Sequence, residues 1–243
     1  MYSMSGPLKT DAIVLRSLRF GEADRILHIY TPGRGRLAAI AKGVRRTRSR
    51  FGGRLEPYTR VRLICHEGRG ELLTVTAAET LDAHAGLRDQ AATLDSAGRA
   101  CDAVARVFET EEPHPAVYNL LANELALLAA DATKAGHANT LAFRLKLLVA
   151  AGLAPSLGAC ASCGSPEHLV GYSPQAGGVV CNACEAASFP IAPETYEFLT
   201  ASLASSLAQT PAASARALRE AERAIGETLE HHAHLRLRPA MLR

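Results

Sequence analysis

Arg25-Ile-Leu-His-Ile-Tyr-Thr-Pro-Gly-Arg-Gly-Arg-Leu-Ala-Ala-Ile-Ala-Lys-Gly43 reads as two short strands on either side of a glycine turn. Residues 25–30 alternate in polarity. Pro32-Gly33 and Gly35 supply turn chemistry, and Leu37–Ala41 forms a second apolar run that stops at Gly43. Similar runs flank this pair: Ala12–Leu15 before it, then Val61–Cys65 and Leu72–Thr76, with a turn expected at Gly68/Gly70. Five short strands punctuated by glycines predict a small β-barrel.

From about residue 86 the period changes. Leu87, Leu94, Cys101 and Phe108 recur every seven residues, with Ala91, Ala97 and Val104 beside them, which predicts one apolar helical face ended by Pro113 and Pro115. Val117, Leu121, Leu125 and Leu128 mark a second helix, and Leu141, Leu145 and Leu148 a third, stopped by Gly152 and Pro155. Pro193 opens a fourth helix with Tyr196, Leu199, Leu203 and Leu207 along one side. A last helix after Pro211 carries Leu218, Ala221, Ile225 and Leu229. The expected class is therefore α+β. A barrel domain spans residues 1–82, and a helical domain spans residues 83–243 with a cysteine-bearing insertion at about 158–188.

Charge separates the same two regions. Residues 1–80 hold 15 basic and 7 acidic side chains, whereas residues 81–243 hold 12 and 17, so a net +8 precedes a net −5. Arg34, Arg36, Lys42, Arg45, Arg46, Arg48, Arg50 and Arg54 all lie between Gly33 and Leu55, a span with no acidic residue. A run of this kind is often only a solvated loop. The lack of any acidic partner favours contact with a polyanion, most simply nucleic acid. Phe20, Tyr30, Phe51 and Tyr58 lie in or beside the run. Tyr30 reads as core because its strand alternates, while Phe51, set among arginines and glycines, is the candidate for stacking on bases.

Cys160, Cys163, Cys181 and Cys184 form two Cys-x-x-Cys pairs separated by 17 residues. Two intervening residues let one tight turn offer both sulfurs to one ion, and the separation fits a zinc site better than a redox pair. Four thiolates fill a tetrahedron and leave no position for an activated water, so the site reads as structural. Iron accepts the same four ligands, and spacing does not separate the two metals. Cys65 and Cys101 read as small core residues.

Catalytic signatures are missing from the sequence. It contains no Gly-x-x-x-x-Gly-Lys-Ser/Thr loop for a nucleotide cofactor, and no His-x-Glu or His-Glu-x-x-His. The carboxylates of the basic third are scattered rather than paired for metal-assisted cleavage. His231, His232 and His234 read as decoration at the end of the last helix. No apolar run approaches the about 18–20 residues of a membrane span, and no basic-then-apolar leader opens the chain, so a cytoplasmic protein is expected.

Several stretches carry a likeness beyond composition. They are Gly21–Arg25, Tyr30–Gly35, Ala41–Arg46 and Ser49–Tyr58, followed by Arg144–Leu148, Gly152–Pro155 and the cysteine quartet, and together they resemble the RecO family of bacterial recombination mediators. The resemblance implies an OB-type barrel, a helical C-terminal region and a structural Zn2+. It also implies a non-enzymatic, nucleoid-associated role in RecF-pathway repair. Such proteins bind single- and double-stranded DNA and anneal complementary strands. With RecR they help RecA to displace single-strand-binding protein (SSB). By the same analogy the helical region holds the acidic, apolar SSB tail, with Arg144 and Lys146 as candidate cations. Three other classes stay open: a zinc-stabilised protein-interaction adaptor without DNA activity, a nuclease with dispersed carboxylates, and an iron-bearing electron carrier.

Overall fold

The computed structural model describes residues 6–67 and 72–240; the turn expected at Gly68/Gly70 lies outside them. Five strands, β1 (Leu8–Phe20), β2 (Asp24–Thr31), β3 (Gly35–Ala41), β4 (Arg60–Glu67) and β5 (Leu73–Asp82), close into a barrel in the order β1-β2-β3-β5-β4. Every expected strand is present. β1 is long enough to pair twice, with β4 from Leu8 to Ile13 and with β2 from Ile13 to Phe20. A bulge between Val14 and Arg16 bends it between the two partners. The seam is the short parallel pairing of Ala39 and Ile40 with Leu73 and Thr74; all other pairings in the barrel are antiparallel. This is an OB-like barrel.

Alternation sets its interior. Leu37, Ala39 and Ala41 of β3 point inward with Leu27, Ile29, Val61, Leu63, Cys65, Leu73 and Val75. Cys65 is core, as expected, and burial pushes its thiol up to about 11. Gly35 begins β3 at φ +59, and a Cβ there would lie 2.3 Å from the Glu112 carbonyl oxygen, so only glycine lets this turn approach the later chain so closely.

Five α-helices follow: α1 (Ala91–Val107), α2 (Pro115–Ala130), α3 (His137–Ala150), α4 (Pro193–Ala204) and α5 (Ala215–Ala233). Leu87 lies before α1 in a separate 3-10 turn (Ala85–Arg88), so the seven-residue spacing breaks there. The buried face of α1 instead runs through Thr93, Ala97, Ala100, Cys101 and Val104, and Leu94 is 40% exposed. α2, α3 and α5 bury the residues that periodicity marked. In α4 the buried face is turned from the expected one: it runs through Thr195, Phe198, Leu199 and Ser202, Tyr196 and Leu203 are half-buried, and Leu207 sits in a short 3-10 turn beyond the helix.

The class of structure changes after Asp82, whereas the compact units divide between Ala130 and Asp131. The first unit is the barrel with α1 and α2, which pack on each other and touch β1 and β2 respectively. The second unit packs α3, α4 and α5 together. It also holds a sheet that periodicity did not reveal, β6 (Leu169–Ser173), β7 (Gly178–Cys181) and β8 (Phe189–Pro190), in the order β7-β6-β8. No helix among the described residues is long and apolar enough to cross a membrane.

Candidate nucleic-acid interface and metal centre

Residues 42–59 join β3 to β4 and carry most of the basic run. Apolar side chains and backbone bonds hold this connection against the barrel. The Gly43 N–H donates to the Asp24 carboxylate at 2.7 Å, and the Arg45 N–H donates to the Ala23 carbonyl at 2.9 Å. Farther along, Arg25 pairs with Glu56 at 3.0 Å, and the Tyr58 N–H reaches the Val14 carbonyl at 2.7 Å. Between these anchors the chain folds through successive turns, closed by Arg46 N–H to Gly43 O, Ser49 N–H to Arg46 O and Arg54 N–H to Phe51 O.

Phe51 corrects the sequence reading. It is 1% exposed and packs with Leu55 into the barrel core, so it is not a stacking surface. The inward-facing alanines of β1 and β3 leave space at this end of a narrow barrel, and two apolar side chains four residues apart fill it. That pairing inside an otherwise polar loop was the available signal. The Arg50 guanidinium lies over the outer side of the Phe51 ring, 4.8 Å from its centroid. Phe51→Ala is expected to destabilise the protein by about 3–5 kcal/mol, as for other aromatic truncations in cores. Urea unfolding would measure this, and a shift below about 1 kcal/mol would contradict the packing described.

The eight cations do not form one patch. Lys42, Arg45, Arg46, Arg48, Arg50 and Arg54 are exposed on the connection, and none of them forms an ion pair among the described residues. Arg45 and Arg54 also brace the loop, donating to the carbonyls of Glu22 and of Arg50 and Phe51. Arg34 and Arg36 lie at the other end of β3, a strand about 20 Å long at ~3.3 Å per residue. Arg34 bonds the carboxylates of Glu67 at 3.3 Å and Glu111 at 2.7 Å. Arg36 is half-buried and donates to the Ala105 carbonyl of α1 at 2.9 Å. These two arginines tie the β2–β3 turn to the helical part of their own unit, leaving little free charge for a ligand.

The cysteines converge. The four Sγ atoms of Cys160, Cys163, Cys181 and Cys184 all lie within 4.8 Å of one another, and Cys163 and Cys181 are 3.7 Å apart. A tetrahedron with bonds of about 2.3 Å has sulfur–sulfur edges of about 3.8 Å, so the donor set fits one tetrahedral ion. In the first turn the Gly164 N–H donates to Cys160 O, with Gly164 at φ +79. In the second the Cys184 N–H donates to Cys181 O. Backbone N–H donors, that of Cys181 foremost, hold the Cys160 thiol down at about 6. Hydrogen bonding with neighbouring sulfurs, Cys163 first, pushes Cys184 up to about 12. One thiolate forms readily here, and a dication is what would allow all four. Cys160 packs with Val180 and Cys181 of β7 in a small core, backed by Leu169.

The chain matches two family descriptions almost end to end: Recombination protein O N terminal over residues 4–84, and Recombination protein O C terminal over residues 89–239. It belongs to the RecO family. Its relatives include the DNA repair protein RecO of Rubrobacter xylanophilus, 41% identical over 223 residues, covering 89% of this chain and 88% of that one. The proteins of the same name from Anaeromyxobacter sp. and Nocardioides sp. are 37% and 40% identical. The first alignment covers 96% of this chain and 94% of the relative, the second 92% and 93%. RecO membership places the chain in DNA repair and recombination.

Two further residues suggested by the RecO resemblance are already engaged. Arg144 is 5% exposed; it donates to the Arg238 carbonyl at 2.6 Å and lies 3.8 Å from Glu222. Lys146 donates to Ser205 O at 2.7 Å and, more weakly, to Leu203 O at the end of α4, where desolvation lowers its pKa. Neither stands as a free cation at the mouth of a groove, because α3 is packed by neighbours on both sides of its apolar stripe. Both side chains serve the packing of their own unit, which runs against the expected role at an acidic tail. At the end of α5, His231 and His232 occupy the last turn and His234 caps it at φ +53, with His232 Nε2 2.8 Å from the Pro174 carbonyl oxygen.

Proposed function

We propose that this protein is a recombination mediator whose barrel, residues 1–82, binds single- and double-stranded DNA through the β3–β4 connection. The observation that carries the reading is a set of six exposed cations, Lys42, Arg45, Arg46, Arg48, Arg50 and Arg54, on a loop pinned by core side chains. Phosphates on two complementary strands gather along these cations. Their mutual repulsion falls, and the strands pair without nucleotide hydrolysis. The protein acts as a binder rather than a catalyst, within the cytoplasm and on the nucleoid. RecR and the SSB tail are its partners, and its product is a single strand on which RecA can assemble.

The four cysteines hold Zn2+ in a closed structural site. It would take no part in the DNA chemistry; its role is to fix the turns around β6 and β7.

Annealing tests this reading. Two complementary labelled oligonucleotides, one coated with SSB, should pair faster with the protein than without it, in the absence of ATP, and the gain should fade as salt is raised. No acceleration by folded, metal-loaded protein would favour the adaptor reading instead.

A further inference from the structure

With Phe51 committed to the core, the barrel needs another surface if it is to hold unpaired bases as well as phosphates. Phe20, at the end of β1, is 50% exposed, and it is the only exposed phenylalanine or tyrosine among the described residues. Tyr30, Phe51, Phe108 and Tyr118 are buried, and Tyr58 is half-buried.

Its position joins it to the cations. Phe20 pairs across the strands with Asp24, and that carboxylate receives the Gly43 N–H. The turn that follows Phe20 receives two bonds from Arg45, its N–H to Ala23 O and its guanidinium to Glu22 O. The exposed ring therefore sits at the point where the basic connection is fastened to the barrel. Alternation along β1 puts Phe20 on the same outward face as Leu18, and Leu18 shares a cross-strand row with Ile26 and Ile40, all three half-buried. An exposed ring continued by an apolar row and bordered by cations suits a strand whose bases are free to leave their own stack. In a duplex the base faces are already occupied by their neighbours, so the ring has nothing to receive.

We propose that Phe20 is the base-stacking platform of this barrel and the residue that makes it prefer single strands to duplex. The proposal rests on the reading that the β3–β4 connection binds DNA.

The chain contains no tryptophan, so Phe20→Trp would install a single reporter at the site. Oligo(dT) should quench the emission of this variant in step with binding, and duplex of equal length should not. Phe20→Ala should weaken oligo(dT) binding by about 5- to 150-fold, leave duplex binding within about twofold, and leave the salt slope unchanged, because stacking releases no counterions. Phe20→Tyr should restore single-strand affinity. Unchanged urea midpoints would show that each variant is folded, as expected for a half-exposed side chain. Salt-sensitive DNA binding by the wild type with equal single-strand affinity in Phe20→Ala, or with tryptophan emission indifferent to oligo(dT), overturns the stacking role alone. Absence of DNA binding by the wild type overturns this proposal together with the reading beneath it.

Discussion

Alanine at all six of Lys42, Arg45, Arg46, Arg48, Arg50 and Arg54 should abolish most of the salt dependence of DNA binding. If about five phosphates are neutralised on a single strand, log K falls with log salt at a slope of about −3.5, or roughly two decades between about 50 and 200 mM. The sextuple variant should bind at least ~100-fold more weakly at about 50 mM salt and show a nearly flat dependence above it. Replacement of Arg34 and Arg36 makes a sharp comparison. Their charge is committed to Glu67, Glu111 and the Ala105 carbonyl, so the slope should hardly move even if the fold is weakened. Fluorescence anisotropy titrations at four salt concentrations would suffice. Should the pair matter as much as the six, the interface lies at the other end of β3.

Removal of the metal should be equally consequential, and confined to the second unit. Zinc held by four thiolates contributes an apparent ~10–16 kcal/mol in small zinc modules at neutral pH. β6 to β8 are short, and the small core beside them includes two of the four cysteines themselves. Chelation, or Cys160→Ser with Cys181→Ser, should therefore expose the segment around residues 158–188 to protease while the barrel still binds DNA. Thiol modification of purified protein should release one zinc per chain, and the protein should be colourless; visible absorbance would indicate iron. A chain that holds no metal and still resists protease across that segment would refute the structural role.

The legibility of these features followed the range of the forces behind them. Strands of the barrel could be read because alternation and glycine turns are local properties. The convergence of the cysteine pairs could be read because two-residue spacing by itself brings two sulfurs to one side of a turn. Phe51 was misread because burial of a loop residue depends on what the far side of the barrel leaves unfilled, here Ala12, Ala39 and Ala41. Arg144 and Lys146 looked like the polar side of a helix, and their partners, Arg238, Glu222 and the end of α4, are distant in sequence. The Leu87/Leu94 spacing failed because a 3-10 turn changed the phase before α1 began. β6 to β8 carry no periodic signal because their longest strand has only five residues and lies between the two cysteine pairs.

The plug formed by Phe51 and Leu55 makes the connection part of the barrel's cooperative structure rather than an appendage. Amide exchange at its bonded anchors, Gly43, Arg45 and Tyr58, should then follow the same opening event as the strands rather than loop fraying. On the DNA-binding reading proposed above, a backbone held in place before a strand arrives would lose little conformational freedom on binding, which favours fast association. The same coupling restricts evolution: a length change between Phe51 and Leu55 would unseat the core and displace the exposed cations together, where most surface loops of this size absorb insertions freely.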